Sequence, residues 1–372
     1  MRAAEILRSM DWVALGATGL LVAIGLAMLI SATYTEQVIS GLFIRQGVAT
    51  LIALAGLLAF AFIHYRLLMR WSVLLYAIGL AGLIVVALFG TLIRGTVSRL
   101  EFFGVQVQPS EFMKIGIVLL LAFLASRLNS SPIKFAIVSF CVLALPVALV
   151  LLEPDTGAAV LLITIWLGIL LFQGLPWKGV LIVLVCGALA AAAAWQWALL
   201  DYQRERLLTF LDPTRDPLGA GYNITQSIVA LGSGELLGRG LGHGPQSQLK
   251  FLPERHTDFI LASIGEELGF LGVLLVLGLY AVLLWRILVM IRSTREVFVR
   301  VASVGVFFLL LVSLAVSAGM NMGLLPVTGI ALPLVSYGGS NLVTIGILLG
   351  ILQSMRVHGK WTASLPPEIT HF

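Results

Sequence analysis

Ten runs of apolar residues, each at or near the length a helix needs to cross a bilayer, dictate what this chain can fold into. About 20 residues at roughly 1.5 Å of rise each match a hydrocarbon thickness of about 30 Å. The runs are Trp12–Ala32, Leu42–Ile63, Trp71–Leu92, Pro109–Ser126, Phe135–Leu152, Thr156–Phe172, Lys178–Leu200, Phe259–Ile291, Val301–Met320 and Ser340–Val357, of which the sixth is short. With 59% hydrophobic and 11% charged residues, the chain has more apolar surface than one aqueous core can hide, so lipid must be its solvent. The expected fold is all-α. It is a polytopic integral membrane protein of about ten transmembrane helices, one domain over 1–372, with a large extracytoplasmic loop, 201–258, between helices seven and eight. No small-residue cleavage site follows the first run, which therefore reads as a retained helix and not a signal peptide.

Orientation follows from where short loops carry Lys and Arg. With the N-terminus inside, thirteen such residues fall in the inner loops and tails, against Arg45, Arg94 and Arg99 outside, so both termini are expected to be cytoplasmic. Long loops translocate regardless of charge, so the six cations of the large loop do not count. The net charge of +5 then reflects this topology, and nothing signals nucleic acid. Trp12, Trp71, Trp177, Trp285 and Trp361 fall near the predicted inner ends, as an aromatic belt would. Cys141 and Cys186 each sit inside an apolar run, which predicts inert packing residues and no disulfide. His243 and His256 lack metal-ligand spacing, so no metal site is expected.

The outer face holds almost every unusual polar residue, and no glycine-rich loop followed by Lys-Ser or Lys-Thr offers to bind ATP on either side. Helix four opens Gln108-Pro-Ser-Glu111-Phe-Met-Lys114, an acid and a base three apart on one helical face. A Lys one turn below the surface costs several kcal/mol unless paired or hydrated, so the pair either satisfies itself or receives an anionic head group. In Glu153-Pro-Asp155, the proline breaks the chain and Asp155 can cap the next helix, or orient a sugar or a loop arginine. The large loop carries a glycine-dense stretch, 232–244, able to take positive φ or to approach a ligand closely, and Tyr222–Leu231, long enough for an amphipathic helix on the membrane surface. It closes on Phe251-Leu-Pro-Glu-Arg-His-Thr-Asp258, which puts a carboxylate at the mouth of helix eight. There Asp258 either complements the helix dipole or, with Arg255 nearby, stays ionised and available as a base. Glu266 and Glu267, within the first third of that helix, must face protein or a hydrated cavity.

Over nearly its whole length the chain resembles the SEDS family (shape, elongation, division and sporulation). The resemblance rests on Gln108-Pro-Ser-Glu-Phe-Met-Lys114, Glu153-Pro-Asp155, Asp212–Tyr222, Gln226-Ser227, Phe251–Ile260, Glu266-Glu-Leu-Gly269 and Leu332-Pro-Leu-Val-Ser-Tyr-Gly-Gly-Ser340. Arg255 favours the elongation branch over the division branch, where a small residue is expected. Leu100, Thr156, Ala158 and Pro245 depart from the usual Trp, Leu, Thr and Thr. The resemblance implies a ten-helix peptidoglycan glycosyltransferase in the bacterial cytoplasmic membrane. Such an enzyme polymerises lipid II at the extracytoplasmic face and works with a class B penicillin-binding protein, a transpeptidase, within the elongation machinery.

Carried over, the family's essential aspartate falls on Asp258, and its functional Arg, Glu, Lys and Asp fall on Arg45, Glu111, Lys114 and Asp155. Glycan extension needs a base for a sugar hydroxyl and cations for a departing pyrophosphate. Asp258 is the expected base; Arg45, Lys114, Arg99, Arg204 and Arg206 are candidates for the phosphates. Gln226, Ser227, Glu254, Arg255 and Ser336, within the shared motifs, complete the expected substrate-binding set. No cofactor is expected, although a divalent cation could share the phosphate charge. A flippase of the lipid-linked precursor is the alternative, since an intramembrane Glu111–Lys114 pair would also suit a translocation path. A scaffold that only recruits the transpeptidase is a third reading.

Overall fold

The computed structural model describes residues 3–33, 39–93, 96–102, 105–128, 131–216, 219–249 and 251–359. Its helices are α1 (Ala3–Ser9), α2 (Trp12–Thr33), α3 (Ile39–Phe62), α4 (Tyr65–Phe89), α5 (Pro109–Leu128), α6 (Pro132–Leu152), α7 (Thr156–Phe172) and α8 (Trp177–Ala193, continued by a π-helical turn at Ala194–Ala198). They continue as α9 (Asp201–Leu211), α10 (Ala220–Ser233), α11 (Pro245–Gln248), α12 (Ile260–Ser293), α13 (Val297–Asn321) and α14 (Gly339–His358). Eight of them are long and apolar enough to cross a membrane, and the shorter α7 and the buried α5 run among them. All ten apolar runs of the sequence therefore fall mainly on helices, the largest offset being at α4, which starts at Tyr65 rather than Trp71 and ends before Leu92, a residue of a following strand.

The main core is an apolar cluster running through the bundle, with Met113, Ile117, Leu119 and Leu121 of α5, Val299 and Leu310 of α13 and Leu348 and Ile351 of α14 almost wholly enclosed. Close helix contacts depend on missing side chains: a Cβ on Gly346 or Gly350 of α14 would collide with backbone at Ala53 or Leu57 of α3. Such small-residue seams let helices approach where no hydrophobic effect drives them together. Ile6, Met10, Ala61 and Val357 cluster, so the start of the chain, the end of α3 and the end of α14 share one membrane face. Asp258 lies at the opposite face. The exposed Trp12, Trp71, Trp177 and Trp285 sit near the ends of their spans, as an interfacial belt requires, and Trp361 lies outside the described residues.

Two expectations are corrected, and two features are added. Between α4 and α5 lies a small antiparallel sheet, β1 (Thr91–Ile93), β2 (Thr96–Phe102) and β3 (Val105–Val107), in the order β1-β2-β3. Cys141 and Cys186 are free but do not pack inside; both face outward from the bundle. Asp258 does not belong to a helical first turn, because α12 starts at Ile260. The glycine-dense stretch takes positive φ at Gly238, Gly240 and Gly242, as expected, and at Gly238 it meets the backbone of α12. Within α12 the helix breaks at Gly269, whose φ of 68° and ψ of −167° only glycine takes without strain. The amides of Phe270 and Leu271 donate to the carbonyls of Glu235 and Leu236 (2.8 and 3.2 Å), and those of Arg239 and Gly240 donate to Glu266 and Glu267 (3.0 and 2.9 Å). The loop thus satisfies the groups the break exposes, which would cost several kcal/mol each if left bare in lipid.

Candidate active site

Three elements fix Asp258. The preceding turn is set by Glu254, whose φ of 52° aims its carbonyl at the amides of Thr257 (3.1 Å) and Phe259 (3.2 Å). At the end of α13, the wholly buried Asn321 donates to the Asp258 carbonyl (2.9 Å) and to the Ser317 carbonyl (2.7 Å), and its side-chain oxygen accepts from Ala262 N–H (2.8 Å). That last bond occupies one of the amides that open α12 and have no partner within the helix. Ser227 of α10 donates to the Asn321 carbonyl at 2.8 Å, so the amphipathic helix is tied to the same hub by its buried Ile224–Ser227–Ala230 face. Finally, Ser336 donates to the Thr257 carbonyl (2.7 Å) and Tyr337 N–H donates to the His256 carbonyl (2.8 Å). Asp258 itself is half-buried, with Oδ2 facing Gly329.

A second polar group surrounds the first turn of α5. Lys114 is wholly enclosed and its Nζ is 2.7 Å from Glu111 Oε1, while Asn341 of α14 donates to Glu111 Oε2 at 3.1 Å. Asp155 caps α7 by accepting from Ala158 N–H (3.0 Å) and also accepts from the Gln108 side chain (2.7 Å). Gln108 N–H in turn donates to Ser340 at 3.1 Å. Burial raises the Asp155 carboxyl above the usual range. The Ala158 amide, Lys114 and Gln108 pull it back, while Glu111 pushes it up. The sequence-predicted pair therefore exists, but within a network that reaches three helices and not as an isolated bridge. Beside it, Glu153 is enclosed with neither carboxylate oxygen bonded among the described residues, and burial together with Asp155 pushes it up to about 8.

The segment between α13 and α14 joins the two groups. The Thr328 carbonyl and Ile330 press on Gly157, two residues from Asp155, and the adjacent Gly329 faces Asp258. Further along, Ser336 meets Thr257, Gly338 N–H donates to Gln46 next to Arg45 (3.2 Å), and Ser340 and Asn341 meet Gln108 and Glu111. Asp258 and the Glu111–Lys114–Asp155 network thus flank one short stretch of chain.

The remaining candidates divide. Arg45 is exposed on α3 at this face. Arg204 donates to the Gln196 carbonyl (3.3 Å) and lies 3.9 Å from Asp201, Arg206 is exposed on α9, and Gln226 is half-buried on α10. Arg255 is buried and donates to the Ser247 carbonyl, while Ser247 donates through N–H (2.9 Å) and hydroxyl (2.5 Å) to Glu266. Arg255 therefore ties α11 to the Asp258 turn. Glu254 accepts from the Thr257 hydroxyl at 2.9 Å. Arg99 lies on β2, with its side chain outside the described part, and Arg94 lies outside it altogether. Asn321, Gln108, Gln46 and Asn341 escaped the expected set. Their signal was polar amides at the ends of apolar spans, which only the packing could pair.

A family model for cell cycle proteins, named for FtsW, RodA and SpoVE, matches residues 10–360. The chain belongs to this family. It is 41% identical over 291 residues to the peptidoglycan glycosyltransferase MrdB of Escherichia coli strain K12, covering 78% of this chain and 79% of that one. The MrdB of Helicobacter pylori is 36% identical over 323 residues, covering 84% and 83%. A solved structure described as the structural coordination of polymerization and crosslinking by a peptidoglycan synthase complex superposes with a TM-score of 0.79 at 32% identity, over 93% of this chain and 97% of that chain. The crystal structure of the rod shape determining protein RodA of Thermus thermophilus gives 0.69 at 26% identity, over 93% and 96%. This SEDS chain is RodA-like in sequence and in fold.

Proposed function

We propose that the chain extends glycan strands from lipid II, with the Asp258 carboxylate taking the proton of the attacking sugar hydroxyl. It is a peptidoglycan glycosyltransferase, as its MrdB relatives are named. In the reaction, the sugar oxygen forms a bond to the anomeric carbon of the donor and the bond from that carbon to the lipid pyrophosphate breaks. The proton passes to Asp258, and the bonding pair leaves on the pyrophosphate. A positioned base contributes about 10²–10⁴-fold to such a step. Cationic groups that meet the departing charge contribute through a prearranged field. Lys114 supplies a positive charge within the Glu111–Asp155 network, and Arg45 is an exposed guanidinium of the same face. This reading needs no cofactor, and a divalent cation sharing the pyrophosphate charge would act beside these groups.

The observation that carries the reading is the juxtaposition of two buried polar groups across Thr328–Ile330, with Asp258 on one side and Asp155 beside Lys114 and Glu111 on the other. The bias of thirteen against three cations supports a placement with the Asp258 face outside the cytoplasmic membrane and both termini in the cytoplasm. The likeness to a complex that couples polymerization to crosslinking supports a penicillin-binding transpeptidase as partner, and Arg255 together with the MrdB relatives supports the elongation machinery as its setting. The test is reconstitution with lipid II confined to one leaflet. Glycan strands formed only when lipid II occupies the Asp258 leaflet are expected; leaflet exchange without strands would make the protein a flippase instead.

A further inference from the structure

On the face opposite Asp258, the first turns of α4 and α13 and the last turn of α5 surround a recess of about 450 Å³. Its rim carries Arg66, Arg70 and Arg127, and its apolar floor includes Met69, Phe123 and Phe298. Nothing in the proposed reaction uses it. The positive-inside rule asks for arginines on this face, but it does not ask two of α4 and one of α5 to line the same concave site.

The charge around the recess is unequal. Glu296 is the acid that lines it, and that carboxylate already accepts from the Tyr65 hydroxyl (2.6 Å) and lies 3.7 Å from Arg66. Arg127 stacks over the Phe123 ring with its guanidinium carbon 5.3 Å from the centroid, which orients a planar donor at the rim while its apolar stem covers the floor. Arg70 and Arg127 are both exposed. Next to Arg70, the exposed Trp71 marks the head-group level of a bilayer. A guanidinium rim over an apolar floor at this depth matches a molecule with a phosphodiester at one end and hydrocarbon at the other. A free anion would gain nothing from Met69, Phe123 and Phe298.

We propose that this recess binds the head group of an anionic glycerophospholipid from the leaflet on the N-terminal side, through Arg66, Arg70 and Arg127. Basic pockets between transmembrane helices hold phosphate head groups in this way, each arginine adding favourable interaction with an anionic lipid. Guanidinium groups match phosphate oxygens in pairs. The site is remote from Asp258 and is independent of which reaction occurs there.

The experiment is native mass spectrometry of the purified full chain with phosphatidylglycerol, phosphatidylethanolamine, undecaprenyl phosphate or inorganic phosphate as probes. The combined Arg66→Gln, Arg70→Gln and Arg127→Gln variant is compared with a control that removes three exposed arginines of the same face, Arg8→Gln, Arg292→Gln and Arg295→Gln. The expected result is one retained phosphatidylglycerol, weakened about tenfold or more by the recess variant and less than threefold by the control. Equal weakening in both would mean diffuse attraction to a basic face and would overturn the proposal. Preference for undecaprenyl phosphate would assign the recess to the polyprenyl carrier instead, and binding of inorganic phosphate as strong as that of lipid would remove the membrane from it. If the triple variant does not fold, crosslinking of a photoactivatable phosphatidylglycerol to peptides carrying Met69 or Phe123 in the wild-type chain decides; crosslinks only elsewhere would contradict the assignment.

Discussion

The two membrane faces of this bundle use the same residue types for opposite ends. At the N-terminal face, Asp11 is a closed knot: Arg286 Nε reaches both of its oxygens (3.0 and 2.8 Å), Arg356 adds a contact at 3.2 Å, and its own N–H donates to Gln353 at 2.8 Å. One carboxylate is shared there by two guanidinium groups, and the result is to hold together the ends of α2, α12 and α14. At the other face, polar side chains bond mainly to backbone and to one another across loops, and acids lie close together: Glu111, Glu153 and Asp155 with the single buried Lys114 among them. A knot maximises cohesion. A face that buries like charges has accepted instability, and such sites are where perturbed carboxyls do chemistry.

The contrast can be broken by substitution. The largest effect is expected from Lys114→Met, which leaves Glu111 enclosed without its cation; a loss of about 3–5 kcal/mol in stability is typical of an abandoned buried partner. Thermal unfolding in detergent together with lipid II polymerisation checks it, and near-normal values of both would mean the pair is dispensable. Asp11→Asn should also lower the unfolding midpoint, but its turnover per folded molecule should stay within about twofold, because the knot holds helices rather than substrate. A matching collapse of turnover would erase the distinction between the faces.

Asn321→Ala is expected to fall between these. It strips the Ala262 amide and the Asp258 carbonyl of their partner, a loss of about 1–3 kcal/mol, and should cut turnover more than lipid II affinity because it loosens Asp258 without touching the phosphates. An equal loss in a neighbouring packing variant, Met320→Ala, would reduce Asn321 to a stability residue. The smallest effect is Glu153→Gln. Its carboxyl stays protonated in the fold up to about 8 but ionises near the ordinary value when unfolded, so it subtracts stability as pH rises from the unfolded value to about 8. The variant should therefore unfold at a higher temperature than the parent at pH 8 and at nearly the same temperature at pH 5. An unchanged difference across that range would mean Glu153 is ionised in the folded chain.

Much of the fold was legible because lipid makes secondary structure nearly a matter of length. Thr156–Phe172 matches α7 residue for residue, and Pro109 opens α5 as a first-turn proline should. The sheet at 91–107 escaped notice because three short strands carry almost no periodic signal beside 20-residue helices. The site was legible as a set of residue types, but its assembly was not. Asn321 meets Asp258 across 63 positions and Asn341 meets Glu111 across 230, distances in sequence that no local pattern encodes. The glycine-dense loop was legible as a place of positive φ, but its partner was not: that partner is a break in α12, and what Gly238 and Gly269 need is mutual backbone approach.

The account depends on the carboxylate of Asp258 accepting a proton. An Asp258→Asn variant keeps the side-chain volume and the carbonyl that Asn321 holds, so it isolates that step. Purified and shown to unfold within a few degrees of the parent, it is predicted to polymerise lipid II at least about 100-fold more slowly while still binding it. Turnover close to that of the parent would take Asp258 out of the mechanism.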